Sequence, residues 1–187
     1  MDERTALRLF LHDRNEEAFC ALFVAMYPRV WCYFLLRRAD AATAEDLAQN
    51  VLFKAYQKAA ELKDAALFQG WLFAIARNEL LQHWRRQKAR IETVELEPLA
   101  DSFTVPSAGS LQAEFDDLLA RLEPNERELV LLRFVEGLTY EELAAALGVP
   151  LGTVESRLFS VRKKLLRLKE AGCSGFSQER PQAKPSG

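Results

Sequence analysis

Metal chemistry has little to work with in this chain: its 187 residues include only three cysteines and two histidines. Cys20, Cys32 and Cys173 form no C-x-x-C pair, and His12 and His83 stand at no zinc-ligand spacing, so no metal and no cofactor is expected. Cys20 lies in the apolar stretch EEAFCALFVAM, where a small buried thiol is the expectation. A Gly-rich phosphate loop, a nucleophile motif and a His–carboxylate pair are all missing, which argues against an enzyme. No apolar run approaches the roughly 20 residues that span a bilayer. The N-terminus, MDERTALRLF, sets Asp2 and Glu3 against Arg4 and Arg8 where a secretory signal is basic, so a cytoplasmic location is expected. Period-two alternation is also lacking, which excludes a sheet of any size. Hydrophobic residues make up 49% of the chain, enough for packed cores, and they recur at helical spacing. The expected fold class is all-α.

The helical pattern divides the chain. Asn15 is placed to cap a helix carrying Phe19, Leu22, Phe23, Met26 and Val30, with Pro28 expected to kink or interrupt it. Thr43 and Asp46 are expected to open a second helix that buries Leu47, Val51, Leu52 and Ala55 and leaves Asp46, Gln49, Asn50 and Lys54 outside. A polar segment at 61–69 leads to Gly70 and a third helix with Trp71, Leu72, Ile75 and Ala76 inside. Over 91–110 the periodicity fails among prolines and acids, which predicts a flexible acidic linker. The expected organisation is therefore a first helical domain at 1–90, the linker at 91–110, a second helical domain at 111–170 and a disordered tail at 171–187.

In the second domain a helix is expected from Pro124 to Gly137, followed by the stretch LTYEELAAALGVPLGTVESRLFSVRKKLLRL. Thr139 and Glu142 form an S/T-x-x-E capping box, and Leu138 and Leu143 can close a hydrophobic staple. Gly148, Val149 and Pro150 end one helix and start the next. That is helix-turn-helix spacing. Along the second helix Val154, Leu158, Val161, Leu165 and Leu168 must face a core, leaving Gly152, Ser156, Phe159, Ser160 and Lys163 on the opposite side. Arg157, Arg162, Lys164 and Arg167 lie on its flanks, where long cations reach phosphates. The same pattern also fits a basic amphipathic helix packed within any helical domain.

The formal net charge of −2 looks wrong for a nucleic-acid binder, but the charge is segregated. Arg77, Arg85, Arg86, Lys88 and Arg90 stand against Glu79 alone, and Arg157, Arg162, Lys163, Lys164, Arg167 and Lys169 against no acid at all. Two basic segments predict two DNA contacts.

Taken together, AEDLAQNVLFKAY at 44–56, FQGWLFAIARNELLQHWRR at 68–86 and GLTYEELAAALGVPLGTVESRL at 137–158 make the chain resemble bacterial RNA polymerase sigma factors of the extracytoplasmic-function (ECF) group of the sigma-70 family. The resemblance implies docking of Asp46, Gln49 and Asn50 on the coiled coil of the largest core polymerase subunit; spacing alone makes them an exposed polar face. It implies a flap contact of the second-largest subunit at 121–137. For the minus-ten promoter element it implies Lys63, Phe68, Trp71, Arg77, Asn78, Arg85 and Arg86, holding unstacked bases and the duplex just upstream. Trp71, with Leu72 and Ile75 at helical spacing, also fits a core position. For the minus-thirty-five element it implies Thr153, Ser156, Arg157, Phe159, Ser160 and Lys163. Asn50, Gln82, Glu155 and Ser160 depart from the family pattern; Glu155 is placed either to accept from a cytosine or to serve the helix start, where a negative charge suits the dipole. The implied partners are core RNA polymerase, promoter DNA and an anti-sigma factor, and the implied function is transcription initiation at a stress- or envelope-responsive set of genes. The alternative is a helix-turn-helix regulator that acts without replacing the sigma subunit.

Overall fold

The computed structural model describes residues 2–13, 15–93 and 117–174, and all its regular elements among them are helical. Helices α1 (Glu3–Asp13), α2 (Glu16–Leu36), α3 (Ala41–Lys58) and α4 (Phe68–Thr93) form the first half. A helical turn at 117–120, then α5 (Pro124–Val130), α6 (Tyr140–Leu147) and α7 (Leu151–Ser174), form the second.

Local chemistry explains where these helices start. Asn15 Oδ1 accepts from the backbone N–H of Ala18 at 2.8 Å, capping α2. Asp40 does the same for α3, accepting from the Thr43 N–H at 2.9 Å and from the Thr43 hydroxyl at 2.7 Å. These bonds to the charged form hold the Asp40 carboxyl below its ordinary value. The expected start at Thr43 and Asp46 is thereby corrected: the carboxylate that caps the orphan N–H groups is Asp40, and Asp46 sits exposed in the second turn. Pro28 does not interrupt α2, which runs unbroken from Glu16 to Leu36. Its missing N–H would have bonded the carbonyl of Val24, and Val24 is 73% exposed, so water can take the donor's place.

The core of the first half is built from helical stripes. Leu22, Met26, Val30 and Phe34 of α2 meet Leu47, Val51 and Leu52 of α3 and Leu72, Phe73, Ala76 and Leu80 of α4, all buried. Each large side chain of this set contributes about 1.5–3 kcal/mol by leaving water. Ala6, Leu7 and Phe10 of α1 pack onto the same core. Sequence reading missed α1, although those residues stand at i, i+1 and i+4 on one helical face.

The linker expectation needs an adjustment at its edge, because α4 continues through Thr93 while residues 94–110 lie outside the described ones. Likewise α7 extends to Ser174, past the expected start of the tail at 171; residues 175–187 lie outside the described ones. The helix expected from Pro124 to Gly137 is present with a widened, π-type last turn at Leu131–Val135.

The two halves do not stand apart. Helix α6 packs against α4, and the closest approach is at Gly70, where an added Cβ would lie 2.5 Å from the carbonyl oxygen of Glu142 and 2.7 Å from its Cα. Only glycine lets the backbones come this near.

Candidate nucleic-acid interface

The helix-turn-helix is built as its residues require. Thr139 Oγ1 accepts from the Glu142 N–H at 3.2 Å, and Glu142 returns the bond to the Thr139 N–H at 2.8 Å. Leu138 and Leu143, the staple pair, are both fully buried. Gly148 adopts the left-handed conformation at φ 65°, where a side chain would be strained, and its N–H bonds back to Ala144. The Thr153 N–H then finds the carbonyl of Pro150 at 2.9 Å, so α7 starts within one turn of the end of α6.

Val154, Leu158 and Val161 are buried on the inner face of α7, whereas Leu165 and Leu168 are half-buried. The opposite face is open. Phe159 is 71% exposed, Ser156, Arg157, Ser160 and Lys163 are exposed, and Thr153 is half-exposed at the first turn. Ser156 donates to the carbonyl of Thr153 at 3.1 Å and Ser160 to that of Ser156 at 3.0 Å. Each hydroxyl therefore offers its lone pairs outward, an acceptor for base-edge amines. Gly152 adds clearance at the same face, with no atom within 4 Å of where a Cβ would be.

Two expectations on α7 are corrected. Lys164 is not among the phosphate-reaching cations, because its ammonium is held by Glu126 of α5 at 2.6 Å. That bond keeps the Glu126 carboxyl below its ordinary value, against a smaller upward push from burial. Glu155 does not serve the helix start: it lies beyond the first turn, where the helix dipole has faded.

The other basic helix, α4, is more enclosed. Asn78, Arg85 and Arg86 are exposed, with Arg86 donating to Gln82 at 3.1 Å, and Lys63 is exposed on the segment before it. Phe68 is 6% exposed and belongs to the core, so the expected stacking surface there is corrected: its ring lies 6.3 Å from that of Trp71, which is half-buried. Arg77 is not free either. Its Nε donates to Glu128 of α5 at 3.3 Å.

Glu128 is the hub of a polar cluster between the halves. With 2% of its surface exposed, it accepts from the Tyr33 hydroxyl at 2.9 Å and lies 3.9 Å from an Arg37 nitrogen, while Arg37 also donates to the carbonyl of Pro124 at 3.1 Å. Burial, with the Glu128 charge alongside, pushes the Tyr33 phenol far above its ordinary range, so it remains a donor. Beside it Arg29 donates to the side chain of Glu136 at 3.0 Å, to its carbonyl at 2.8 Å and to Gln69 at 3.1 Å. Burial raises the Glu136 carboxyl, and the Arg29 contact only partly offsets this.

On α3, Asp46, Gln49 and Asn50 are exposed, as their spacing required. Gln49 borders an apolar groove of about 380 Å³ formed with Glu16, Phe19, Cys20, Phe23, Phe53 and Tyr56. Phe53 is 60% exposed. Sequence reading passed over it, although a phenylalanine one turn beyond Gln49 on a polar face was the signal. Cys20 is exposed in this groove and not buried, because the apolar stripe of α2 runs through Ala18, Leu22 and Met26 and turns Cys20 away from the core.

Comparison with known proteins matches the sequence to two described regions. Residues 22–90 match Sigma-70 region 2, and residues 112–165 match Sigma-70, region 4. The chain is 32% identical over 175 residues to the ECF RNA polymerase sigma factor RpoE of Cereibacter sphaeroides, covering 88% of this chain and 91% of the relative. It is 34% identical over 163 residues to ECF sigma factor SigF of Caulobacter vibrioides, with 86% and 90% covered. Among solved structures, the sigma factor RpoE of Bartonella quintana, crystallised with the anti-sigma factor NepR, superposes with a TM-score of 0.64 at 27% identity, covering 81% of this chain and 96% of that one. CnrH, in complex with the cytosolic domain of CnrY, gives the same TM-score at 23% identity over 90% and 97% of the chains, a likeness of fold. The chain belongs to the extracytoplasmic-function sigma factors of the sigma-70 family, proteins of transcription initiation.

Proposed function

We propose that the chain binds core RNA polymerase and supplies both promoter-reading surfaces, one in each half. The observation that carries this reading is the exposed face of α7, where Ser156, Phe159 and Ser160 stand free of the protein core and Arg157 and Lys163 flank them. Short hydroxyls and an aromatic ring reach base edges of the minus-thirty-five element, while long cations hold phosphates; Thr153 sets the first turn at the backbone. Asn78 and Trp71 serve the minus-ten strand, with Lys63, Arg85 and Arg86 on phosphates and Arg77 joining them once it leaves Glu128.

Core docking falls to Asp46, Gln49 and Asn50, and the adjoining groove with Phe53 gives the polar contact an apolar floor. The π-type turn at Leu131–Val135 presents Phe134 at 63% exposure, a fitting anchor for the flap. The division into a promoter-melting unit at 1–90 and an upstream-element unit at 111–170, joined by residues 91–110, belongs to the same proposal. So do cytoplasmic location, control by an anti-sigma factor and the absence of any catalytic step of the chain's own.

Transcription in vitro with core enzyme on a promoter library tests the reading: the expected result is initiation at a defined pair of elements. The double substitution Asp46→Ala with Gln49→Ala is expected to weaken core binding and leave the helical circular dichroism unchanged. A chain that binds a promoter but never engages core polymerase would be an ordinary helix-turn-helix regulator.

A further inference from the structure

We propose that Glu155 selects a cytosine in the upstream element, as part of an acceptor-rich reading face on α7. The inference rests on the assignment of α7 to the major groove of that element. Glu155 is exposed in the second turn of α7, too far along the helix to cap it. The positions three and four residues to either side are Leu151, Gly152, Leu158 and Phe159, so no cation stands one helical turn away. Among the described residues no other element supplies a partner for its carboxylate. Glu155 and Phe159 lie along one edge of the open face, and Thr153, Arg157 and Ser160 line the other.

The chemistry of this face is one-sided. Ser156 gives its proton to the Thr153 carbonyl and Ser160 to that of Ser156, so both hydroxyls turn lone pairs outward. Glu155 adds a group that can only accept. Arg157 and Lys163 are left to hold phosphates.

Base edges in the major groove differ in how they meet such a face. Guanine presents two acceptors, N7 and O6, and thymine presents O4; adenine sets an acceptor, N7, beside its N6 amine, whereas cytosine presents the N4 amine alone. Only cytosine therefore offers Glu155 a proton with no acceptor beside it on the same base. The ring of Phe159, 71% exposed and one turn further on, displaces water from the same stretch of groove. A carboxylate left facing O6 or O4 there loses its hydration without replacement, which is the source of discrimination. The same charge also lies among phosphates and repels them. It lowers affinity for every sequence while it raises preference for one base.

The test uses holoenzyme assembled from the full chain and core RNA polymerase, with a promoter library randomised across the upstream element. Bound promoters are sequenced for the parent, Glu155→Gln and Glu155→Arg. Glutamine has a donor and an acceptor that suit adenine N7 and N6, and arginine has donors that suit guanine O6 and N7. The expected result is one position at which the parent favours cytosine about fivefold or more. At that position the preference should pass to adenine in Glu155→Gln and to guanine in Glu155→Arg, with the rest of the element unchanged. Affinity for random-sequence duplex should rise in both variants, since each removes a negative charge. Helical circular dichroism should match the parent, because the side chain is exposed. A gain in affinity on all promoters alike, with unchanged base preferences, would make Glu155 a plain surface charge and overturn the proposal. A selected upstream element without the cytosine would also overturn it and leave α7 as the reading helix. A parent that selects no upstream element at all would remove the assignment of α7 itself.

Discussion

The two basic helices α4 and α7 have similar charge and opposite availability. Among the described side chains of α7 the cations lie around an open face, with Lys164 drawn back onto Glu126. In α4 the first turns are packed under α6, Phe68 is core, and Arg77 is bound by a buried carboxylate. Basic composition therefore identifies a segment suited to nucleic acid but not the state in which it can bind. The difference follows from position: α7 ends the second half and has one neighbour face, whereas α4 lies between the first-half core and the second half.

The largest expected effect sets core against reading face. Phe73 of α4 is fully buried, so Phe73→Ala is expected to lower stability by about 3–5 kcal/mol, whereas Phe159→Ala on the open face of α7 should change it by less than about 0.5 kcal/mol and weaken upstream-element binding. Thermal or urea unfolding of both variants measures this; similar losses would mean that Phe159 packs somewhere in the protein.

Next comes base reading on α7. Ser160→Arg is expected to shift preference at one base pair of the upstream element by ~1–3 kcal/mol, the worth of a bidentate guanine contact. Binding to a panel of upstream elements shows it, and a uniform change across the panel would assign position 160 to the backbone instead.

The helix that covers α4 offers a smaller handle. Thr139→Ala removes the capping bond of α6 and should cost about 1 kcal/mol, with amide exchange rising in α6 and in the α4 turns beneath it. Faster exchange in α6 alone would mean that the two helices are not coupled.

The finest distinction is between neighbouring lysines. Lys163→Ala should reduce the salt slope of DNA binding by about one phosphate's worth, while Lys164→Ala should leave that slope unchanged. Lys164→Ala should instead lower stability by less than about 1 kcal/mol, in keeping with a partly exposed pair. The Glu126 carboxyl is depressed in the folded protein, so the pair contributes fully above the unfolded value near ~4.3 and is lost as pH falls through the lower folded value. Melting curves of parent and variant should therefore differ most at neutral pH and converge as the pH falls through the acid range.

Much of this molecule was determined by the sequence alone. The Thr139–Glu142 capping box, the Gly148 turn, the Asn15 cap and the buried stripe of Val154, Leu158 and Val161 are local, because a helix period and a cap need only residues within about a turn of one another. The exposed positions of Asp46, Gln49, Ser156 and Ser160 followed from the same period. Tertiary structure decided the rest. Tyr33 and Glu128 are 95 residues apart, and Arg29 and Glu136 107. A helical period separates the apolar side of a helix from the polar side, but it carries no record of which distant element covers that polar side. For that reason segregated charge makes Arg77 and Lys164, and the family resemblance makes Phe68, candidates for DNA contact, while the fold gave two of them to carboxylates and one to the core.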